Sequence, residues 1–68
     1  MLNRNKLKAK VVENGFAMKQ IAKMLQISES TLYRKINGTS DFTRKEIQDL
    51  KEILNLDTKT AEEIFFAE

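Results

Sequence analysis

Between Lys19 and Gly38 the chain reads Lys-Gln-Ile-Ala-Lys-Met-Leu-Gln-Ile-Ser-Glu-Ser-Thr-Leu-Tyr-Arg-Lys-Ile-Asn-Gly. The side chains best suited to chemistry lie in its second half. If residues 29–37 form a helix, about 100° separates successive side chains, and Leu32 and Ile36 set the inward direction. Arg34 then points almost directly away from the core. Ser30 and Thr31 lie on either side of that exposed ridge, with Tyr33 and Lys35 on its flanks. Hydroxyls, a phenol and a guanidinium in one stripe can bond base edges and phosphate oxygens. Arginine in particular offers two parallel donors to O6 and N7 of guanine. Ser30, Thr31, Tyr33 and Arg34 are therefore the candidate base-reading residues. Arg34 alone on an exposed helix would be an ordinary solvated side chain; the helix in front of it gives it meaning.

That preceding helix covers residues 17–25, with Ile21, Ala22 and Leu25 at three-to-four spacing, and three or four residues join it to the next. The small Ala22 lets the second helix cross close to the first at a steep angle, as in a helix-turn-helix. Ser28 is a good N-cap for the second helix, because its oxygen can accept from an otherwise unpaired amide. The remaining elements must hold this pair. A first helix over residues 3–14 carries Leu7 and Val11 on one face and ends at Asn14-Gly15, with Phe16 as an anchor. Gly38 ends the third helix, and a polar loop, Thr39-Ser40-Asp41, leads to Phe42. Thr43-Arg44-Lys45-Glu46 is a capping box opening a fourth helix to about Asn55, which buries Ile47, Leu50 and Leu54. After Leu56-Asp57, a last helix turns Ala61, Ile64 and Phe65 inward. The expectation is one all-α domain over residues 1–68, a compact bundle of five short helices around a central helix-turn-helix formed by the second and third.

Composition narrows the alternatives. The chain has no cysteine and no histidine, which removes disulfide, thiolate, imidazole-base and the usual zinc chemistry. No positioned nucleophile, base or phosphate cradle is visible, so an enzyme is a distant third reading, and no cofactor or metal is expected. Two glycines and no proline disfavour a sheet-rich fold. No apolar run approaches the roughly 20 residues of a membrane span, and no leader opens the chain. The expectation is a cytoplasmic protein, with Met1 as its natural start.

The net charge of +2 hides a strong polarity. Residues 1–45 carry ten Lys or Arg against three acids, a balance of +7; residues 46–68 carry two lysines against seven acids, a balance of −5. A basic front could face a polyanion while the acidic back could not. A polarised solvated surface is the plain alternative.

From the first helix through Leu56 the chain resembles the small DNA-binding domains of phage lambda-type repressors and Cro proteins, the xenobiotic-response-element-like helix-turn-helix family. The strongest stretch is Gln20-Ile21-Ala22 through Ser28-Glu29-Ser30-Thr31-Leu32 to Ile36-Asn37-Gly38. Phe42-Thr43, Glu46-Ile47 and Ile64-Phe65-Phe66 are similar to short Cro-like regulators of Gram-positive prophages. The resemblance implies that Ser30 and Arg34 fall where such proteins contact bases and that Asn37 meets backbone phosphate. Three positions depart from the pattern. Gln26 replaces the turn glycine, at about 1 kcal/mol if it is left-handed. Met18 stands where many members have a phosphate-contacting glutamine, and Lys35 occupies a commonly inward position.

The expected phosphate contacts are Lys19, Lys23, Ser28, Lys35, Asn37, Thr39, Ser40 and Arg44, with plain solvation an equal alternative for Lys23. Arg4, Lys6, Lys8 and Lys10 alternate along the first helix, so at most half can face one direction. At the other end, one helix face cannot bury all of Ile64-Phe65-Phe66. Phe65 and Phe66 are candidate dimer contacts, with Phe66 the one expected to stay exposed; both rings plugging a thin core is the alternative. The expected function is sequence-specific binding of double-stranded operator DNA as a small Cro- or repressor-like regulator, as a homodimer if the tail pairs. The rival is a protein-interaction module, such as an antirepressor that binds a phage repressor instead of DNA.

Overall fold

A computed structural model describes residues 2–67; Met1, read above as a natural start, lies outside the described residues. The chain forms five α-helices, α1 (Arg4–Glu13), α2 (Met18–Leu25), α3 (Glu29–Ile36), α4 (Arg44–Ile53) and α5 (Thr58–Phe65). There is no strand among the described residues. The molecule measures 27 × 25 × 20 Å. The expected all-α, five-helix architecture is the observed one, and the helix ends fall within two residues of those read from the sequence.

Side chains from every helix meet in one core. Leu7 and Val11 enter from α1, Ile21, Ala22 and Leu25 from α2, Leu32 and Ile36 from α3, Leu50 from α4 with Leu54 just beyond it, and Ala61, Ile64 and Phe65 from α5. These are the positions at three-to-four spacing, because on a helix only one stripe can leave water at a time. Ile47, expected inside, is half-buried beside the core, as are Phe16, Met18, Phe42 and Leu56. In a domain this small, such a second layer around a thin centre is what limited volume allows.

Local chemistry sets the helix ends. The Ser28 hydroxyl oxygen accepts from the Thr31 amide at 3.1 Å. The Thr43 hydroxyl accepts from the Glu46 amide at 3.1 Å, while the Glu46 carboxylate accepts from the Thr43 amide at 2.8 Å, the reciprocal pair of a capping box. Two caps escaped the sequence reading. Asp57 accepts from the Thr60 amide at 2.7 Å to start α5, and the Gln20 side chain reaches back to the Ala17 amide at 2.8 Å to start α2. The chain reverses through left-handed residues at Gly15 (φ 78°) and Gly38 (φ 86°), and also at Gln26 (φ 61°) and Asn55 (φ 53°). Asparagine tolerates that region better than most residues. Gln26 does not share this tolerance.

One ion pair is nearly enclosed. Lys35 Nζ lies 2.6 Å from Glu46 Oε1, with the two side chains only 11% and 12% exposed. Burial pushes the Glu46 carboxyl up, but the bonds from Lys35 and Thr43 and the charge of Lys35 outweigh it and hold it below its ordinary 4.5. The Asp57 carboxyl is also lowered, by the hydrogen bonds from Thr60.

Two outcomes follow from these local features. Gln26→Gly removes the left-handed penalty and should stabilise the fold by about 1 kcal/mol, raising the melting temperature by roughly 4–8 °C in a domain of this size; an unchanged melting temperature would show that the turn is unstrained. The contribution of a carboxyl whose native pKa is depressed is complete above its unfolded value and disappears as pH falls through the native one. Denaturant titrations should therefore show stability falling as pH drops below about 4.5, and Glu46→Gln should flatten that decline.

Candidate nucleic-acid interface

The candidate surface comprises α2, α3 and the loop that follows. Ala22 is 2% exposed and gives α3 room to pack against α2. The turn is closed by the Ile27 amide on the Ala22 carbonyl at 3.0 Å and the Gln26 amide on the Lys23 carbonyl at 3.1 Å. Leu32 and Ile36, 1% and 2% exposed, anchor α3 from within. Rotation about the helix axis is thereby fixed, and Ser30, Tyr33, Arg34 and Asn37 all lie on the solvent side. Their spacing of three and four residues makes one continuous ridge. Arg34 pairs with no carboxylate among the described residues, so its guanidinium keeps its donors for an external acceptor.

Thr31 is only half-exposed, and its hydroxyl is tied to that of Ser28 at 2.9 Å. With the Ser28 oxygen also accepting from the Thr31 amide, the two hydroxyls keep one proton between them for an outside acceptor. Ser28, expected to meet phosphate, thus serves first as the cap of α3.

The loop after α3 folds back over the helix end. The Thr39 and Ser40 amides donate to the Arg34 carbonyl at 2.9 and 3.3 Å, and the Gly38 amide to that of Lys35 at 3.2 Å. Gly38 makes this reversal possible through its left-handed backbone. Asn37, Thr39 and Ser40 are consequently exposed beside Arg34, and Arg44 is exposed at the start of α4. Lys19 and Lys23 are exposed on α2, and neither they nor Arg44 makes an ion pair among the described residues.

Two expected contacts are placed elsewhere. Lys35, read as a phosphate contact, turns inward: its ammonium holds Glu46 and donates to the Asp41 carbonyl at 3.2 Å. Its flank of α3 faces the start of α4, where the carboxylate draws it in. Phe65, read with Phe66 as a candidate dimer contact, is 7% exposed and packs edge-on against Phe42, ring centroids 5.9 Å apart. Phe66 remains 65% exposed. On α1, Lys6 pairs with Glu63 and Lys10 with Glu13, which leaves Arg4 and Lys8. Arg4 shares a cleft of about 700 Å³ with Asn37, Gly38 and Ser40, a proximity across more than 30 residues of sequence that no local pattern announces.

No group of acidic residues suited to a metal occurs among the described residues, and none of the helices is long and apolar enough to cross a membrane. No curated protein and no solved structure matches the chain. The family model for the helix-turn-helix domain of resolvase matches residues 3–39, more than half of the 68 residues, and takes in α1, the α2–α3 pair and the start of the following loop. This finding supports a helix-turn-helix DNA-binding domain in general and is coarser than the lambda-type resemblance. With its alanine-packed helix pair and outward ridge on α3, the chain belongs to the family of resolvase helix-turn-helix domains, which bind double-stranded DNA.

Proposed function

We propose that this chain is a small sequence-specific regulator of the Cro or repressor type, encoded by a phage or prophage, whose α3 reads the major groove of an operator. The observation that carries the reading is the unengaged ridge of α3: Arg34 at its crest, Ser30 and Tyr33 beside it, and Thr31 at its edge. Lys19, Lys23, Asn37, Thr39, Ser40 and Arg44 surround that ridge as phosphate contacts, consistent with backbone contacts that fix the register of a reading helix. Ser28 contributes by starting α3 at the groove edge.

Site selection from random duplexes should return a short motif. On that motif Arg34→Ala should weaken binding by about 1–3 kcal/mol and relax preference at one position, whereas Lys19→Ala should weaken all duplexes alike and reduce the salt slope by about one. Equal losses for Arg34→Ala on every sequence would make it a phosphate contact only. Failure to recover any motif would favour the protein-interaction alternative, an antirepressor-like module that binds a repressor; the exposed Phe66 is the feature that favours it.

Phe66 also supports a homodimer. A ring 65% exposed near the chain end can meet its own copy across a two-fold axis, which would set two reading helices roughly 34 Å apart. Sedimentation equilibrium with the selected duplex should give two chains per site, reduced to one by Phe66→Ser; the same stoichiometry for both would exclude Phe66 from the contact.

A further inference from the structure

We propose that Lys35 and Glu46 are positioning residues for DNA binding: their ion pair fixes the phosphate-facing loop against the reading helix, although neither side chain is placed to touch DNA. The proposal rests on the function argued above, and it concerns residues 37–44.

Three fastenings converge on this pair. The Lys35 ammonium bonds Glu46 at 2.6 Å and the Asp41 carbonyl at 3.2 Å, while the same Glu46 oxygen accepts from the Thr43 amide at 2.8 Å. The Phe42 ring centroid lies 6.0 Å from the ammonium, and its ring forms a T-shaped pair with Phe65. The first part of the loop is tied to the carbonyls of Arg34 and Lys35. Both ends of the loop are therefore referred to one turn of α3, the turn that carries Arg34. Base contact and phosphate contacts become parts of one rigid unit.

Stability alone is a poor reason for such a pair. The other ion pairs, Lys6–Glu63, Lys10–Glu13 and Lys45–Asp49, each leave at least one side chain 45% or more exposed, and contacts of that kind contribute little. Lys35 and Glu46 instead surrender most of their water, a cost that an apolar pair of similar size would avoid. What an apolar pair could not do is hold the Asp41 carbonyl and the Thr43 amide at fixed positions. Phosphate contacts made by a loop that is already ordered avoid the entropy of ordering it on binding.

Charge makes the test sharp. Glu46→Leu removes a negative charge together with the oxygen that Lys35 and Thr43 bond, so electrostatics alone should tighten binding to DNA; a positioning role requires the opposite. The experiment measures duplex affinity and its salt dependence for the full chain, Glu46→Leu and Lys35→Met on the selected motif, with each variant's melting temperature above that of the assay. The expected result is a loss of about tenfold in both variants, with the salt slope reduced by the equivalent of one or two phosphates. In a Ser40→Ala, Arg44→Ala background, Glu46→Leu should then cost less than about twofold, because the contacts it positions are already gone. Affinity for Glu46→Leu equal to or tighter than the parent, or a full loss in the double-substituted background, would overturn the proposal. Should the variants unfold, amide exchange of the parent chain decides: Thr39 and Ser40 exchanging at open-chain rates while Leu32 and Ile36 stay protected would show that nothing holds the loop. A parent chain that binds no duplex overturns the functional reading itself, and the positioning role with it.

Discussion

The close crossing of α2 and α3 at Ala22 is the constraint on which the rest of the molecule depends. A larger side chain there would push α3 outward, and Leu32 and Ile36 would lose their seats in the core. Because those two residues fix the helix about its own axis, they also decide what α3 shows to solvent. Apolar packing on one side thus sets the chemistry of the other: the ridge of Ser30, Tyr33 and Arg34 is exposed because the opposite stripe is buried. The turn between the helices is short enough that Gln26 must take a left-handed backbone. Local strain of about 1 kcal/mol is small beside the burial that the crossing secures, where a single large apolar side chain contributes about 1.5–3 kcal/mol.

Electrostatics is arranged around the same frame. The C-terminal acids do not simply form a solvated back: Glu63 meets Lys6, Asp49 meets Lys45, and Glu46 meets Lys35. Each pairing withdraws a basic residue from the count of cations available to a polyanion. Among the described residues, the unpaired positive charge of α2, α3 and the start of α4 is left with Lys19, Lys23, Arg34 and Arg44. The excess of +7 over residues 1–45 therefore overstates the charge that a polyanion would meet.

Much of this was legible in the order of residues. Helices of three-to-four apolar spacing, the Ser28 cap, the capping box of Thr43 and Glu46, and the reversals at Gly15 and Gly38 all depend on neighbours within four or five positions, and each stands in the structure as its residues dictate. Asp57 and Gln20 are caps of the same local kind, and Asn55 reverses the chain where no glycine announces it. The Asn14 side chain shows where local reading ends: it bonds Lys10 four residues away, but also the Leu54 carbonyl at 3.2 Å, 40 positions along the chain.

The sequence by itself determined the helices, their inward stripes and the residue types on the outer face of α3, because helical geometry converts spacing directly into direction. Only the tertiary structure decided which charged and aromatic groups stay free. Lys35 sits at the edge of the α3 face, where its angle alone permits either solvent or interior, and the carboxylate brought up by α4 settles the choice. Phe65 and Phe66 are adjacent and chemically identical, yet α5 packs with one ring against Phe42 and the other in water. Arg4 lines one cleft with Asn37 and Ser40 only because the fold brings α1 and the α3–α4 loop to the same side. Such choices belong to partners distant in sequence, and no pattern of neighbours encodes which carboxylate, ring or loop will arrive.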